Sequence, residues 1–365
     1  MTSFDFRPRT RILFGAGEFS RLGEVARELG GTRCLLAADR AAIDSGYARE
    51  ATRSLKARRI EVWGFEDFGP DLSVTMIDAG AAFAAPLNVN LIAGLGGAIS
   101  LDCARAINFV VSNGGSIRNY RGYGKAAQPM LPMVAVPTEA GMGVEAQSAA
   151  SIFDPERNGR MICGDAKAVY RAAILDPKLA VLQSRALTAA AGYEAIANAV
   201  ETLASTRRTP ISECFSREAW RLLNANFTRV LNAPEDLDAR GAMLLGAHFA
   251  GVAIENSTLA AAHACAAPLA THYNLAPGAA MGALLARVVA WNRASDYDGL
   301  NQADLAARLR DLAAAAGLPL SLRDASVPQE ALPRLAEEAG AQWTGKFNPR
   351  PFNAAAALEI YQAAF

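Results

Sequence analysis

The two halves of the chain differ in their residue patterns, and this contrast constrains the fold more than any other feature. In the first half, short segments rich in β-branched residues alternate with amphipathic segments of helical period. The predicted strands are Thr10–Phe14, Arg33–Ala38, Ile60–Phe65, Asn90–Gly94, Met133–Val136 and Ala172–Leu175, and the predicted helices are Arg21–Leu29, Tyr47–Arg58, Val74–Ala84 and Ser100–Ser112. Since parallel strands are joined by crossover helices, this alternation predicts an open, mostly parallel sheet covered on both faces.

Two further segments of the first half, Ser148–Phe153 and Gly159–Cys163, lie on either side of turn-forming residues and predict an added hairpin. After Asp176-Pro177 the pattern becomes long, Ala- and Leu-rich and helical as far as Phe365. Prolines predict the breaks between these helices, at Pro210, Pro234, Pro268, Pro277, Pro319 and Pro328. We therefore predict an α/β domain over residues 1–180 and an all-helical domain over residues 181–365, with the active cleft between them.

Charge and cysteine usage limit the kinds of partner and compartment. Lys+Arg and Asp+Glu are both 36, so no basic field would attract nucleic acid or an anionic membrane. The chain has no run of eighteen apolar residues, and Met1–Arg11 lacks the apolar core of a signal peptide. The cysteines are scattered and odd in number, which predicts buried thiols: Cys34, Cys103, Cys163, Cys214 and Cys265. We expect a cytoplasmic protein whose partner is a small-molecule substrate.

Two segments of the helical half place polar residues in an apolar setting. The segment Thr188–Thr202 carries Glu194 and Asn198 four residues apart, hence on one helix face. A purely structural face would be apolar, so this pair indicates a solvated cleft. The segment Ala262–Gly278 carries His263, which is either a core histidine or a functional group, and His272, which we expect at the surface.

These segments resemble the iron-activated (group III) alcohol dehydrogenases, whose patterns read T-A-A-T-G-x-D-A-L-x-H-A-x-E and V-H-x-x-A-H-P-L-x-x-x-Y-x-x-P-H-G. In that family the Asp and the histidines bind the metal. Here His263 is kept, but the other ligand positions hold Glu194, Asn198, Ala267 and Pro277. Ala and Pro side chains offer no donor atom, so the resemblance, with these departures, predicts no iron or zinc.

The cofactor motifs resemble the family's but are also altered. Gly94–Asp102 corresponds to G-L-G-G-G-S-x-x-D, and Pro137–Glu145 corresponds to P-T-T-A-G-T-G-S-E. The resemblance implies a cofactor-binding set of Asp39, Gly96, Gly97, Asp102 and Thr138. Contact positions have changed to Ala98, Ile99, Glu139, Met142 and Val144, so we expect any NAD(P) binding to be weakened. Glu139 either points to solvent or faces the diphosphate position, where its charge would be repulsive.

Other motifs in family order extend the resemblance over nearly the whole chain: Phe14–Gly17, Asp102–Arg105, Ala173–Pro177 and Asn348–Arg350. The resemblance implies the dehydroquinate synthase-like fold, with an N-terminal α/β Rossmann-like domain and an all-α C-terminal domain. It also implies a homodimer.

Three functions stay open on these residues. The first is a metal-independent enzyme of redox-neutral acid–base chemistry, with Glu194 and His263 as proton carriers and Asn198 orienting an oxygen. The second is a metal-free NAD(P)-dependent oxidoreductase, and the third is a non-catalytic binding or partner subunit. Because the metal and cofactor motifs have changed together while the fold-bearing motifs persist, we rank the first ahead.

Overall fold

The structure is a computed structural model that describes residues 4–157 and 159–365. It divides into two compact units. The α/β unit comprises Arg7–Glu139 and Val144–Leu182. The helical unit comprises Gln183–Phe365 together with a segment ending at Phe6 and the short segment Ala140–Gly143.

The α/β unit is built on a six-stranded sheet in which every pairing is parallel, as the alternating pattern predicts. The strands are β1 (Arg11–Phe14), β2 (Arg33–Ala38), β3 (Glu61–Phe65), β4 (Leu91–Gly96), β6 (Met133–Pro137) and β9 (Ala172–Leu175), and the helices are α1 (Leu22–Glu28), α2 (Arg40–Asp44), α3 (Tyr47–Ala57), α4 (Val74–Ala84) and α5 (Ala98–Asn113). The order of the strands across the sheet is β1-β9-β6-β4-β2-β3. The strand and helix predictions for this half are confirmed, with ends displaced by two residues or fewer.

Register brings three chain segments together at the carboxyl edge of this sheet. Gly96 of β4 is aligned with Pro137 of β6, and Ala38 of β2 is aligned with Leu95 of β4. The residues that follow these strands, Asp39, Gly97 and Thr138, therefore leave the sheet side by side. This is the edge where open α/β sheets bind ligands.

A second sheet of three strands holds β5 (Gly122–Tyr123), β7 (Ala149–Asp154) and β8 (Gly159–Gly164). β7 and β8 are antiparallel, which confirms the predicted hairpin. Asn158 lies outside the described residues. β5 pairs with β8 in parallel and was not predicted, because two residues carry no periodic signal.

The helical unit confirms the all-α prediction. It consists of α6 (Arg185–Ala204), α7 (Pro210–Asn232), α8 (Leu237–Glu255), α9 (Ala261–Tyr273), α10 (Pro277–Trp291), α11 (Leu305–Ala316), α12 (Leu332–Gly340) and α13 (Ala354–Ala364). Pro210 and Pro277 start helices, as predicted, since the first helical residue needs no N–H partner. The break predicted at Pro268 is wrong: this buried residue lies inside α9. Packing of the surrounding α9 residues, including the fully buried Leu269, outweighs the one backbone hydrogen bond that proline removes.

Within the described ranges, no helix is long and apolar enough to cross a membrane. The cysteines are free thiols, and four of them are buried, as predicted. Cys214 is the exception, because it lies on an exposed face of the amphipathic helix α7.

Candidate active site

Helix α6 presents a stripe of polar side chains inside an otherwise apolar helix. The helix is capped by Ser184, whose hydroxyl accepts from Leu187 N at 3.2 Å. A Cβ at Gly192 would lie 2.8 Å from Phe227 of α7 and 2.9 Å from Met243 of α8, so a small residue here lets these helices approach closely. Glu194, Asn198 and Glu201 follow each other at spacings of four and three residues, so they share one face. All three are buried, with exposed fractions of 9%, 0% and 2%.

His263 is joined to this stripe through Glu201. Its Nδ1 forms a short hydrogen bond with Glu201 Oε2, while Glu201 Oε1 accepts from Ala262 N at 2.6 Å. The carboxylate thus holds both the ring and the first turn of α9. A carboxylate on one imidazole nitrogen fixes the tautomer and leaves the other nitrogen available for proton transfer.

The nitrogen on the other side of this ring is buried and unpaired. Within the described residues His263 Nε2 has no hydrogen-bond partner, and the same holds for both amide atoms of Asn198. The large majority of buried polar side-chain atoms in proteins are hydrogen-bonded, so these unpaired atoms on α6 and α9 need an explanation. Such atoms in proteins bind an ordered water or the polar groups of a ligand.

The predicted trio of Glu194, Asn198 and His263 therefore belongs to one unit, but His263 meets α6 at Glu201. Glu201 is seven residues after Glu194, about 10 Å further along the helix axis. The convergence of all three side chains on one point stays a prediction. His272 is at the surface, as predicted, and its Nε2 bonds to Glu338 Oε2 at 2.7 Å.

The residues at the family's metal positions do not fit an iron or zinc ion. Ala267 lies on α9, and Pro277 starts α10, whose next residue Gly278 packs against α6. A Cβ at Gly278 would come within 1.9 Å of the Ala190 carbonyl oxygen, so only glycine permits this approach. Neither Ala267 nor Pro277 offers a lone pair, and among the residues described no three His, Cys, Asp or Glu side chains form a ligand group.

The α/β unit holds the second group of predicted residues, at the start of α5. Asp39 Oδ2 accepts from Gly97 N at 3.0 Å and from Ser100 Oγ at 2.8 Å, while its Oδ1 caps α2 through Ala42 N. Glu139 Oε1 accepts from Ala98 N at 2.7 Å. Two carboxylates thus bind the first backbone N–H groups of α5, where a helix attracts anions.

The neighbouring glycines contact these carboxylates closely. A Cβ at Gly96 would meet Asp39 Oδ2 at 2.1 Å, and a Cβ at Gly97 would meet Glu139 Oε1 at 2.6 Å. Burial raises the pKa of Glu139, and the nearby charges of Asp39 and Glu145 raise it further, whereas the hydrogen bond from Ala98 lowers it. The residues at this helix start therefore do not fit a dinucleotide diphosphate.

The remaining predicted cofactor residues are engaged within the α/β unit. Asp102 accepts from Arg105 Nη1 and from Ser151 N, each at 3.0 Å, and burial raises its pKa to about 6 although Arg105 opposes the shift. Thr138 N donates to Gly96 O at 3.0 Å, which holds the ends of β4 and β6 together. Their contact with a cofactor stays a prediction.

Sequence reasoning missed two functional features. Glu201, the last residue of the α6 pattern, was not predicted as the partner of His263. Its position three residues after Asn198, on the same helix face, was the available signal. The hydroxyl of Ser100, which binds Asp39, was also not predicted.

Comparison with known proteins agrees with this architecture. The family model described as "Iron-containing alcohol dehydrogenase" matches residues 8–177, and "Fe-containing alcohol dehydrogenase family, C-terminal" matches residues 188–365. The chain is similar to NAD-dependent methanol dehydrogenase of Bacillus methanolicus, with 30% identity over 292 residues that cover 80% of this chain and 76% of the relative. It is also similar to 1,3-propanediol dehydrogenase of Klebsiella pneumoniae, with 28% identity over 382 residues and 99% of each chain covered. The crystal structure of a 1,3-propanediol oxidoreductase superimposes with a TM-score of 0.94 over 100% of both chains, at 26% identity.

Proposed function

The chain belongs to the iron-containing alcohol dehydrogenase family, and from that premise we propose that it is a member that works without the family's metal. In this proposal it catalyses redox-neutral acid–base chemistry on a small polar metabolite at the buried polar stripe of the helical unit. The observation that carries the proposal is the arrangement of His263, whose Nδ1 is bound by Glu201 while its Nε2 is buried and unpaired among the described residues.

Each residue has a distinct task in this chemistry. The neutral ring of His263 keeps its Nδ1 proton, which it shares in a hydrogen bond with Glu201, and accepts a substrate proton at Nε2. The resulting imidazolium is stabilised by the carboxylate. Glu201 is thus a positioning residue. The Asn198 amide donates to an oxygen that becomes negative during proton removal. Glu194 is the second proton carrier, which returns a proton so that no electrons leave the substrate.

The experiment is solvent exchange measured by proton NMR. A panel of small oxo and hydroxy compounds is incubated with the protein in D₂O, with a chelator and without nucleotide. We expect at least one compound to exchange a C–H proton next to its carbonyl group, and His263→Gln to abolish the exchange. His272→Gln is the matched control, because this surface histidine also bonds a glutamate but lies outside the stripe.

A metal-free NAD(P)-dependent oxidoreductase is the second candidate. The names of the relatives support it, because the methanol dehydrogenase similar to this chain is described as NAD-dependent. Gly96 and Gly97 are also kept at the helix start. Turnover of the same panel that requires added NADH or NADPH, with no exchange in its absence, would replace the first proposal by the second.

A further inference from the structure

Glu139 occupies a position at the start of α5 that an anionic ligand would otherwise use. The helix is sixteen residues long, and its positive end is a suitable site for a phosphate. In this chain the Ala98 N–H donates to Glu139 and the Gly97 N–H donates to Asp39. Both donors are therefore used by the protein's own carboxylates.

The space in front of the helix is also taken. The carboxylate of Glu139 lies within 2.6–3.0 Å of where a Cβ on Gly97 would stand, which is the place that a glycine normally leaves open for a ligand. Glu139 is half-buried, so its charge is only partly screened by solvent. A phosphate there would need to displace a hydrogen-bonded side chain and would lie next to Asp39 and Glu145 as well.

We infer that Glu139 is a specificity-determining residue: an internal anion that excludes phosphate- and diphosphate-bearing ligands from the start of α5. A ligand that binds at the carboxyl edge of the sheet is then one that places no phosphate at the start of α5. The inference concerns the α/β unit alone, so it does not depend on the chemistry proposed for the helical unit.

The test is calorimetric titration of ADP and of NADH into four forms of the full chain. They are the wild type, Glu139→Gln, Glu139→Thr and Glu50→Gln. Glu139→Gln keeps the side-chain volume without its charge, and Glu139→Thr removes the charge and most of the volume. Glu50 is exposed on α3, so its variant makes the same change in net charge on a different helix.

We expect both ligands to bind Glu139→Thr at least about tenfold more tightly than the wild type, because a repulsive charge in a half-buried site contributes more than 1 kcal/mol. Glu50→Gln should match the wild type. If Glu139→Gln also binds the ligands more tightly, the charge of Glu139 is what excludes the phosphate. If only Glu139→Thr binds them more tightly, the volume of the side chain is what excludes it. Either result supports the inference.

The inference is overturned if the wild type binds ADP and NADH as tightly as the Glu139 variants do. Thermal unfolding of each variant shows that it is folded, so a failure to tighten counts against the inference. Failure of the proposed reaction would appear only in the exchange assay, and the two outcomes are therefore distinguishable.

Discussion

Replacing Asn198 by leucine should stabilise the protein, which is the reverse of what a buried asparagine usually shows. The side chain is fully buried on α6, and neither of its amide atoms has a hydrogen-bond partner among the described residues. Burying an unsatisfied polar group costs about 1–3 kcal/mol and crowding by a larger side chain costs about as much, while burial of the leucine side chain contributes roughly 1.5–3 kcal/mol. The net expectation for Asn198→Leu is a gain of about 1 kcal/mol in the free energy of unfolding.

Asn108 provides a matched control on a second helix. It is also fully buried, on α5, but its Nδ2 donates to Leu131 O at 2.9 Å and its Oδ1 accepts from Leu131 N at 3.1 Å and Ser112 Oγ at 2.8 Å. Asn108→Leu removes these bonds and leaves buried partners unpaired, for a loss of about 3 kcal/mol. The same substitution at two equally buried positions is thus expected to act in opposite directions.

The assay is thermal unfolding followed by circular dichroism, with urea unfolding as a second measurement. At roughly 2–4 °C per kcal/mol for domains of this size, Asn198→Leu should raise the midpoint by a few degrees and Asn108→Leu should lower it by about 6–12 °C. A loss for Asn198→Leu comparable to that for Asn108→Leu would refute the reasoning, because it would show that the Asn198 amide is satisfied in the folded protein.

Three further results are expected. Glu139→Gln should raise the unfolding midpoint at pH 8 but not at pH 4. Because the pKa of Glu139 is raised in the folded protein, its contribution to stability is complete below the usual glutamate pKa and is lost as the pH rises through the folded-state pKa. Equal midpoints of the wild type and the variant at pH 8 would contradict this expectation. Glu201→Gln should slow the solvent exchange by about a hundredfold or more and shift its pH profile, since the His263 ring loses the anion that stabilises its charged form. An unchanged pH profile would show that the contact is merely structural. Glu194→Gln should abolish the same exchange without lowering thermal stability, and an active variant would remove Glu194 from the mechanism.

The regular elements were predictable because their signals are local. The short apolar run at Arg33–Ala38 and the helical period at Val74–Ala84 match β2 and α4 residue for residue. Helix α2 escaped prediction, since five residues are too few for a helical period to be recognised. The break predicted at Pro268 does not occur, because the packing of a buried helix outweighs the low helix propensity of one residue.

The candidate sites were only partly predictable. The positions of Glu194, Asn198 and His263 could be named because each belongs to a local pattern. The direction of Glu139 depends on the alignment of Gly96 with Pro137, which brings the end of β6 beside the start of α5, and a single sequence does not encode that alignment locally. The bond between Glu201 and His263 joins residues 62 positions apart and was missed for the same reason.

The metal content of the purified protein shows whether the helical unit works without a metal. The chain is loaded with Fe²⁺ or Zn²⁺, desalted without chelator and measured by elemental analysis. A variant that restores donors at the altered positions, with Glu194→Asp, Asn198→His, Ala267→His and Pro277→His, serves as the positive control. We expect far less than one metal per wild-type chain, since Ala267 and Pro277 supply no donor atom. One full equivalent of metal in the wild type, lost in His263→Ala, would contradict it.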